Sequence, residues 1–513
     1  MTALTFFGGV SEIGGNTILL ETDGLRVLMD FGVSFARKGR FFEEFVRVRN
    51  RTHLRDSIIL GIVPPLDGLY RSDLESPHGL ESLQVYREHP ELWQTSVVPW
   101  EESEERIDAM LLTHGHLDHA AHIPLMDPRI PIYCSGDTRI LLETMDDMSG
   151  GVESEFIHTK SWGLKSTKGG KFPGSPRIGE TAVSERLFNT FRPPAKFKIQ
   201  DLEISAFPVD HSVPGAVSFV IYTSDLTIAY TGDFRLHGDH SHWTKDFFDQ
   251  IANEVDVLIT EGTRINQESP DSEQAVRDEA TALTENTNGL VMVGYSWKDL
   301  MRTKSMLEVS RRTGRELVIS PRTAYFLYKM GSHVEAIVGL NVYTPRKGSM
   351  IYAPNDYNNE KYLAGYSLDW SGDKPDMTHL NDGVRAYDIA RNPGRYLLHL
   401  DLYSFNELMD LGRLEGSIYL QAQSEPFTEE MTISEDRISN WFSFWGINPP
   451  DHVPIHIRSS GHAAGPDIHA AIEAVNPRLF IPVHTEHPDK FPSTVNMLNP
   501  DVGVRYDLSS LVR

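Results

Sequence analysis

Cysteine occurs once, at Cys134, which excludes an intramolecular disulfide framework and any metal site of clustered thiolates. Long apolar runs are missing too, since none approaches the roughly 20 residues that a bilayer-spanning helix needs. Positive charge is scarce: 48 Lys and Arg stand against 72 Asp and Glu, a formal net charge of −24. That excludes a polycation coating nucleic acid indiscriminately, but leaves room for a local basic groove in an acidic body. No Lys or Arg precedes Arg26, so the amino-terminal stretch has no signal-peptide pattern. The expectation is a cytoplasmic protein of a reducing compartment with no membrane partner. Apolar side chains are plentiful. At 40% hydrophobic and 10% aromatic over 513 residues, the chain can bury large cores and suggests two or three domains.

Short β-rich segments recur along the chain. Leu4–Phe7, Thr17–Glu21 and Leu25–Met29 open it, the last two joined by the hairpin signal Thr22-Asp23-Gly24. Ala109–Thr113, Leu202–Val209, Ala216–Tyr222, Leu226–Thr231, Val255–Thr260 and Leu479–Val483 follow. Helical patterns lie between some of them, as at Asp467–Val475, where Asp467 is placed to cap the first turn. The alternation predicts a layered α/β protein. Residues 36–106 and 146–200, rich in proline and glycine pairs such as Pro64-Pro65, Gly150-Gly151 and Gly169-Gly170, read as insertions, the second irregular. Residues 266–440 change character. Gln274–Glu285 and Lys298–Thr313 resemble helices and Glu316–Ser320 a strand, which predicts a separate α/β domain set inside the first.

The most informative segment is Thr113-His114-Gly115-His116-Leu117-Asp118-His119, directly after an apolar strand. Four ligand-type side chains fall within six residues, and Gly115 permits the chain to turn sharply beneath them. Imidazole with carboxylate suits zinc, and the same ligand types fit manganese or iron. His211, Asp233 and His484 each end an apolar run in the same way. Strand carboxyl ends are where open α/β sheets place ligands.

With the opening Gly8-Gly9-Val10-Ser11-Glu12-Ile13-Gly14-Gly15-Asn16, this ordered set resembles the metallo-β-lactamase superfamily, and within it the β-CASP branch of nucleic-acid-processing enzymes, ribonuclease J above all. Asp30, Glu261, the run Ser460-Gly461-His462 and His484 match that branch's further motifs. The resemblance implies a four-layer αββα sandwich with an inserted β-CASP α/β domain. It divides the chain into residues 1–265, an inserted domain at 266–444, and a closing part at 445–513. It implies that His114, His116 and His211 bind one zinc, that Asp118, His119 and His484 bind a second, and that Asp233 bridges them. Asp118, His462, Glu261 and Asp30 form the implied catalytic set, with Asp30 orienting a ligand histidine. Ser296, Arg458, Ser460 and Gly461 form the implied substrate-binding set. Arg458 stands where ribonuclease J commonly has a histidine.

The implied chemistry is hydrolysis of an RNA phosphodiester by a metal-bound hydroxide, leaving a 5′-phosphate and a 3′-hydroxyl. His462 is expected to protonate the leaving oxygen or to steady the phosphoryl group. The partner is single-stranded RNA, with a 5′-monophosphate end as one form; exonuclease and endonuclease modes, DNA as substrate, and a homodimer stay open. The competing reading is a metallohydrolase of a small ester, thioester or lactam. Arg37, Lys38, Arg40, Arg47, Arg49, Arg51 and Arg55 in the first insertion are read as one basic extension of a substrate channel. Nine Lys or Arg between 160 and 198, with Trp162, Phe172, Phe191 and Phe197 available for base stacking, are read as another.

Overall fold

The computed structural model describes residues 1–43, 45–49, 52–148, 154–166, 176–268, 272–331, 340–346, 383–423 and 429–512. Two sheets face each other in the first unit. One has seven strands, in the order Arg505–Asp507, Ala3–Gly8, Thr17–Thr22, Leu25–Met29, Ala109–Leu111, Ile132–Ser135 and Phe188–Phe191. The other has six, in the order Leu479–Pro482, Val257–Thr260, Thr227–Tyr230, Val217–Tyr222, Leu202–Pro208 and Ala195–Ile199. The two-residue period of a strand explains how each sheet serves two cores. Ile18 and Leu20 point between the sheets with Phe219, Ile221 and Ile259, while Leu19 points outward with Leu28, Met110 and Leu141. On the far side of the second sheet, Val220, Leu258 and Phe480 pack on the helices Ser241–Ile251 and Gly465–Val475. The result is the four-layer αββα sandwich with an inserted α/β unit.

That inserted unit has a third sheet, ordered Asn341–Val342, Glu316–Ile319, Tyr396–His399, Val291–Gly294, Ile418–Gln421 and Ile455–His456. All its pairings are parallel, so both faces need cover and the middles of its longer strands are apolar. Leu317 and Ile319 face one core, and Val318 between them faces the other. Ile455–His456 carries this sheet past residue 445, where the sequence reading turns back to the first unit.

Several local expectations need correction. Residues 146–200 are not irregular: their described part holds the hairpin His158–Ser166 with Pro176–Glu185, plus the strands Phe188–Phe191 and Ala195–Ile199. Phe191 and Phe197 stack on each other at 5.1 Å against the inter-sheet core, so they are not free to stack bases. The first insertion is core material as well, placing Leu54, Val63, Leu69 and Val97 under the first sheet. Its basic residues are partly neutralised, since Arg49 holds Asp56 through two hydrogen bonds and Arg37 pairs with Glu12. Gly150, Gly151, Arg51, Gly169, Gly170 and Phe172 lie outside the described residues. Buried Arg71 ties the two insertions together, bonding Asp73 at 2.9 Å and Glu155 at 2.7 Å. Ala464, not Asp467, is the N-cap of Gly465–Val475, because the helix begins two residues early and leaves Asp467 in its first turn. The helix read from Lys298 starts instead at Leu300, where Asp299 accepts from the Arg302 amide at 2.9 Å.

Beneath the first sheet, His122 sits edge-on to Phe31 with ring centroids 5.2 Å apart. Burial, with His53 and two basic side chains nearby, holds its pKa down at about 3. The folded protein therefore resists protonating it while an unfolded chain accepts the proton below about 6.5. Its contribution is intact above that pH and is lost as the pH falls toward 3. Comparing thermal unfolding at pH 6.5 and 5, His122→Gln should lose about 2 kcal/mol less than the unaltered protein. An equal loss in both would refute this.

Candidate metal centre and substrate cleft

Every side chain of the cluster leaves the carboxyl end of a strand or the turn that follows it. Ala109–Leu111 delivers His114 and His116, and the turn Leu117–Ala120 adds Asp118 and His119. Leu202–Pro208, Thr227–Tyr230, Val257–Thr260 and Leu479–Pro482 are followed by His211, Asp233, Glu261 and His484. Asp30 and His484 adopt left-handed backbone, φ 55° and 52°, which costs a non-glycine residue energy that the surrounding fold must supply. Gly115, read as permitting a sharp turn, serves the site through close packing. A Cβ there would meet Leu141 Cδ2 at 2.8 Å, and its φ is not positive.

Within described residues, three groups of ligand atoms each lie within 4.8 Å of one another: His114, His116, His211 and Asp233; Asp118, His119, Asp233 and His484; Asp233, Glu261, His462 and His484. Asp233 belongs to all three. His116 Nδ1 faces His114 Nε2 and His211 Nε2, each at 3.1 Å. Asp233 Oδ2 is 3.1 Å from His119 Nε2 and 3.8 Å from His484 Nε2, which in turn is 3.1 Å from Asp118 Oδ2.

The outward ring nitrogens are fixed by the protein. His119 Nδ1 donates to Asp30 Oδ2 at 2.8 Å, and Asp30 also accepts from Tyr230, the Thr113 amide and the Thr113 hydroxyl. His211 Nδ1 donates to the Gly461 carbonyl at 2.6 Å, and His484 Nδ1 lies 2.7 Å from Thr263 Oγ1. These partners turn the remaining ring nitrogens inward. Thr113 and Thr263 were passed over in the sequence, although each stands beside a motif residue.

Charge and burial suit cations. Burial drives the pKa of His114 and His116 well down and that of His211 to about 4, leaving neutral imidazoles with free lone pairs. Burial opposes ionising Asp233 and Asp118, yet the neighbouring histidines prevail and hold both below the usual carboxylate range. Asp233 Oδ1 is buried without a hydrogen-bond partner, and orphaned buried oxygens call for an explanation. Inward-facing lone pairs, two carboxylates and an unmet oxygen fit divalent cations.

His462 completes the cluster differently. Its Nδ1 is 2.9 and 3.0 Å from the two Glu261 oxygens. Burial disfavours its charge, but Glu261 and Asp233 outweigh that and lift its pKa to about 9. Glu261 is itself held by the amides of Phe234 and Thr263.

A cleft of about 420 Å³ opens over the cluster between the two units, lined by His116, Asp118, Gly461 and His462 on one side and by Ser296 and Lys298 on the other. Gly461 must be small, since a Cβ would come within 2.8 Å of Ser212 Oγ. Ser460 lies just behind, its carbonyl accepting from His237 at 2.9 Å. Arg458 is not among the lining residues; its Nη2 bonds His456 Nδ1 at 2.7 Å. Lys298 was missed as a site residue. A lysine in the turn between an apolar strand and a helix was the available signal.

Residues 10–265 match the family described as the β-lactamase superfamily domain. The chain is 20% identical over 518 residues to ribonuclease J of Mycoplasma pneumoniae, covering 99% of this chain and 71% of that one. It is 26% identical over 417 residues to ribonuclease J of Thermus thermophilus, covering 75% and 59%. The fold also matches a crystal structure described as a protein of unknown function from Enterococcus faecalis V583, with a TM-score of 0.68, 20% identity, and 98% and 99% coverage. Taken with the αββα layers and the inserted parallel sheet, these matches identify the chain as a member of the metallo-β-lactamase superfamily, ribonuclease J-like and of its β-CASP branch.

Proposed function

We propose that this chain is a metal-dependent ribonuclease that hydrolyses RNA phosphodiesters, with two zinc ions as its working metals. The observation that carries the reading is the shared Asp233, which belongs to adjoining sets of ligand atoms at the floor of a cleft between two units. The ribonuclease J relatives support RNA as the substrate class. Divalent ions held there supply Lewis acidity, acidifying water and offsetting charge on a phosphoryl oxygen. His114, His116, His211 and Asp233 would hold one ion; Asp118, His119, His484 and Asp233 the other.

The protein's own groups account for the remaining work. Lys298 and Ser296 flank the cleft and bind phosphate oxygens, the first by charge and the second by its hydroxyl. His462, held as a cation by Glu261 and Asp233, presents Nε2 to the leaving oxygen and gives up a proton there. Protonation of the 3′ oxygen leaves the 5′-phosphate on the other product. Residues 1–265 with the chain after Ile455–His456 act as the metal-binding part, and the inserted unit, including Ile455–His456, as the clamp over substrate.

The test is incubation with 5′-monophosphorylated single-stranded RNA, matched DNA and a chromogenic lactam, with and without chelator. Cleavage of RNA alone, abolished by chelator, is the expected result. Hydrolysis of the lactam alone would overturn the reading. A second outcome concerns Thr263: Thr263→Val removes the partner of His484 Nδ1 and should weaken zinc affinity by about tenfold or more. Unchanged affinity in a competition titration with a chromophoric chelator would show that Thr263 does not position His484.

A further inference from the structure

Residues 9–16 join the antiparallel strands Ala3–Gly8 and Thr17–Thr22. About two residues suffice to close such a hairpin, so most of this connection serves something other than the turn. It reaches the metal cluster at three points. The Asn16 amide donates to the Asp118 carbonyl at 3.1 Å, and the Gly9 carbonyl accepts from the His484 amide at 2.7 Å. Gly14, at φ +79°, packs so closely on the Asp118 side chain that a Cβ there would come within 2.8 Å of Asp118 Cβ. One loop thus grips two ligands that stand 366 positions apart in the chain and whose side chains meet at 3.1 Å. The loop is itself held shut. Glu12 accepts from the Gly9 amide at 3.3 Å and from the Ser34 hydroxyl at 2.6 Å, and pairs with Arg37. The other set of ligands is steadied elsewhere: His114 Nδ1 lies 3.1 Å from Thr113 Oγ1, and His211 Nδ1 donates to the Gly461 carbonyl.

We infer that residues 9–16 are a positioning loop for the ion of the Asp118, His119, His484 and Asp233 set. The loop sets that ion's affinity separately from the affinity of the ion of the His114, His116, His211 and Asp233 set. The inference rests on the two-zinc reading for what the two sets hold. Partners that orient a ligand govern metal affinity although they never touch the metal. Asp118 has a short side chain, so a displaced backbone carries its carboxylate away from His484 with little correction available from its rotamers. His484 adopts left-handed backbone, φ 52°, and its bond to the Gly9 carbonyl helps the fold hold it there. Position 14 makes two demands that glycine alone meets, a positive φ and the absence of a Cβ against Asp118. Because the loop belongs to the first sheet and His484 follows the edge strand of the second, the same contacts also tie the two sheets together beside this ion.

The experiment is titration of the full chain with zinc in competition with chromophoric chelators, using backgrounds that isolate one ion each. His116→Ala leaves the Asp118 set to be measured, and His484→Ala leaves the His114 set. Gly14→Ala should weaken zinc binding by about tenfold or more in the first background and change it by less than about twofold in the second. Glu12→Ala, which unlocks the loop without crowding Asp118, should show the same pattern. Gly24→Ala is the control. Its φ is +81° and a Cβ there meets nothing within 4 Å, so it carries similar backbone strain far from any ligand and should leave both affinities within about twofold. Circular dichroism identifies a variant that has not folded, and if Gly14→Ala fails in this way Glu12→Ala decides. Equal weakening in both backgrounds, or none in either, would overturn the loop's role. Fewer than two zinc ions in the unaltered protein would remove the two-metal reading and this inference together; two ions with equal responses to the loop variants would remove the inference alone.

Discussion

Asp233→Asn should lower zinc content and RNA cleavage together, the latter by more than about a hundredfold. No other side chain in the cluster has such reach. Its carboxylate belongs to all three groups of ligand atoms, and its Oδ2 faces His114, His119, His211 and His484 at 3.7, 3.1, 3.9 and 3.8 Å. An amide keeps the volume and one oxygen but loses the negative charge. It also brings an N–H₂ donor into a space that converging lone pairs already occupy. The proper comparison is Asp278→Asn on an exposed helix face, where the carboxylate meets Gln274 and Arg312. Metal analysis of the two purified variants separates loss of the site from general damage. Full zinc content in Asp233→Asn would contradict the bridging role.

Glu273→Ala should destabilise the fold by about 3–5 kcal/mol. Glu273 is 1% exposed and accepts from Arg302 Nη2 at 2.8 Å and from the Ser305 hydroxyl at 2.9 Å, with Arg235 Nη1 at 3.6 Å. Arg235 belongs to the metal-bearing unit and bonds Asp210 at 2.9 Å, while Arg302 lies in the first turn of a helix of the inserted unit and donates to the Ser459 carbonyl. The carboxylate thus sits between two fully buried guanidiniums from different units. Removing it takes from Arg302 its bonded carboxylate in a dry interior and leaves Arg235 with Asp210 alone, a heavier cost than the worth of the contacts themselves. Arg505→Ala, which breaks an exposed pair with Glu21, should cost less than about 1 kcal/mol. Urea denaturation of both variants makes the comparison. Equal midpoints would mean that the buried set contributes no more than a surface pair.

The legible parts of this fold were those where chemistry and periodicity coincide. His114, His116, Asp118 and His119 stand out because ligands crowded at one strand end are close in space whatever the rest of the fold does. His211, Asp233 and His484 were found because each repeats the same strand-then-ligand grammar. The seven side chains do meet. Less readable was anything whose role depends on a distant neighbour. Phe191 and Phe197 look like base platforms among lysines until the inter-sheet core is seen to cover them. The strands Phe188–Phe191 and Ala195–Ile199 are each the last strand of one sheet, and their half-exposed patterns, separated by prolines, hide that. Arg458 takes the place of a motif histidine, and its guanidinium turns to His456. Gly14 stands within a motif run, but its closeness to Asp118 becomes notable only when the fold brings the two together.

The first sheet pairs Ala3 with Asp507, and the second sets Leu479 beside Val257. Such distant partners tie the order of synthesis to the onset of function. While the ribosome is still making the inserted unit, the cage lacks His484 and the sheet lacks its last edge. An emerging chain therefore holds an unfinished pocket and an open row of backbone donors, a state prone to misassociation. It also holds no complete metal cage, so the messenger from which it is being translated is out of its reach until the chain has been made as far as His484.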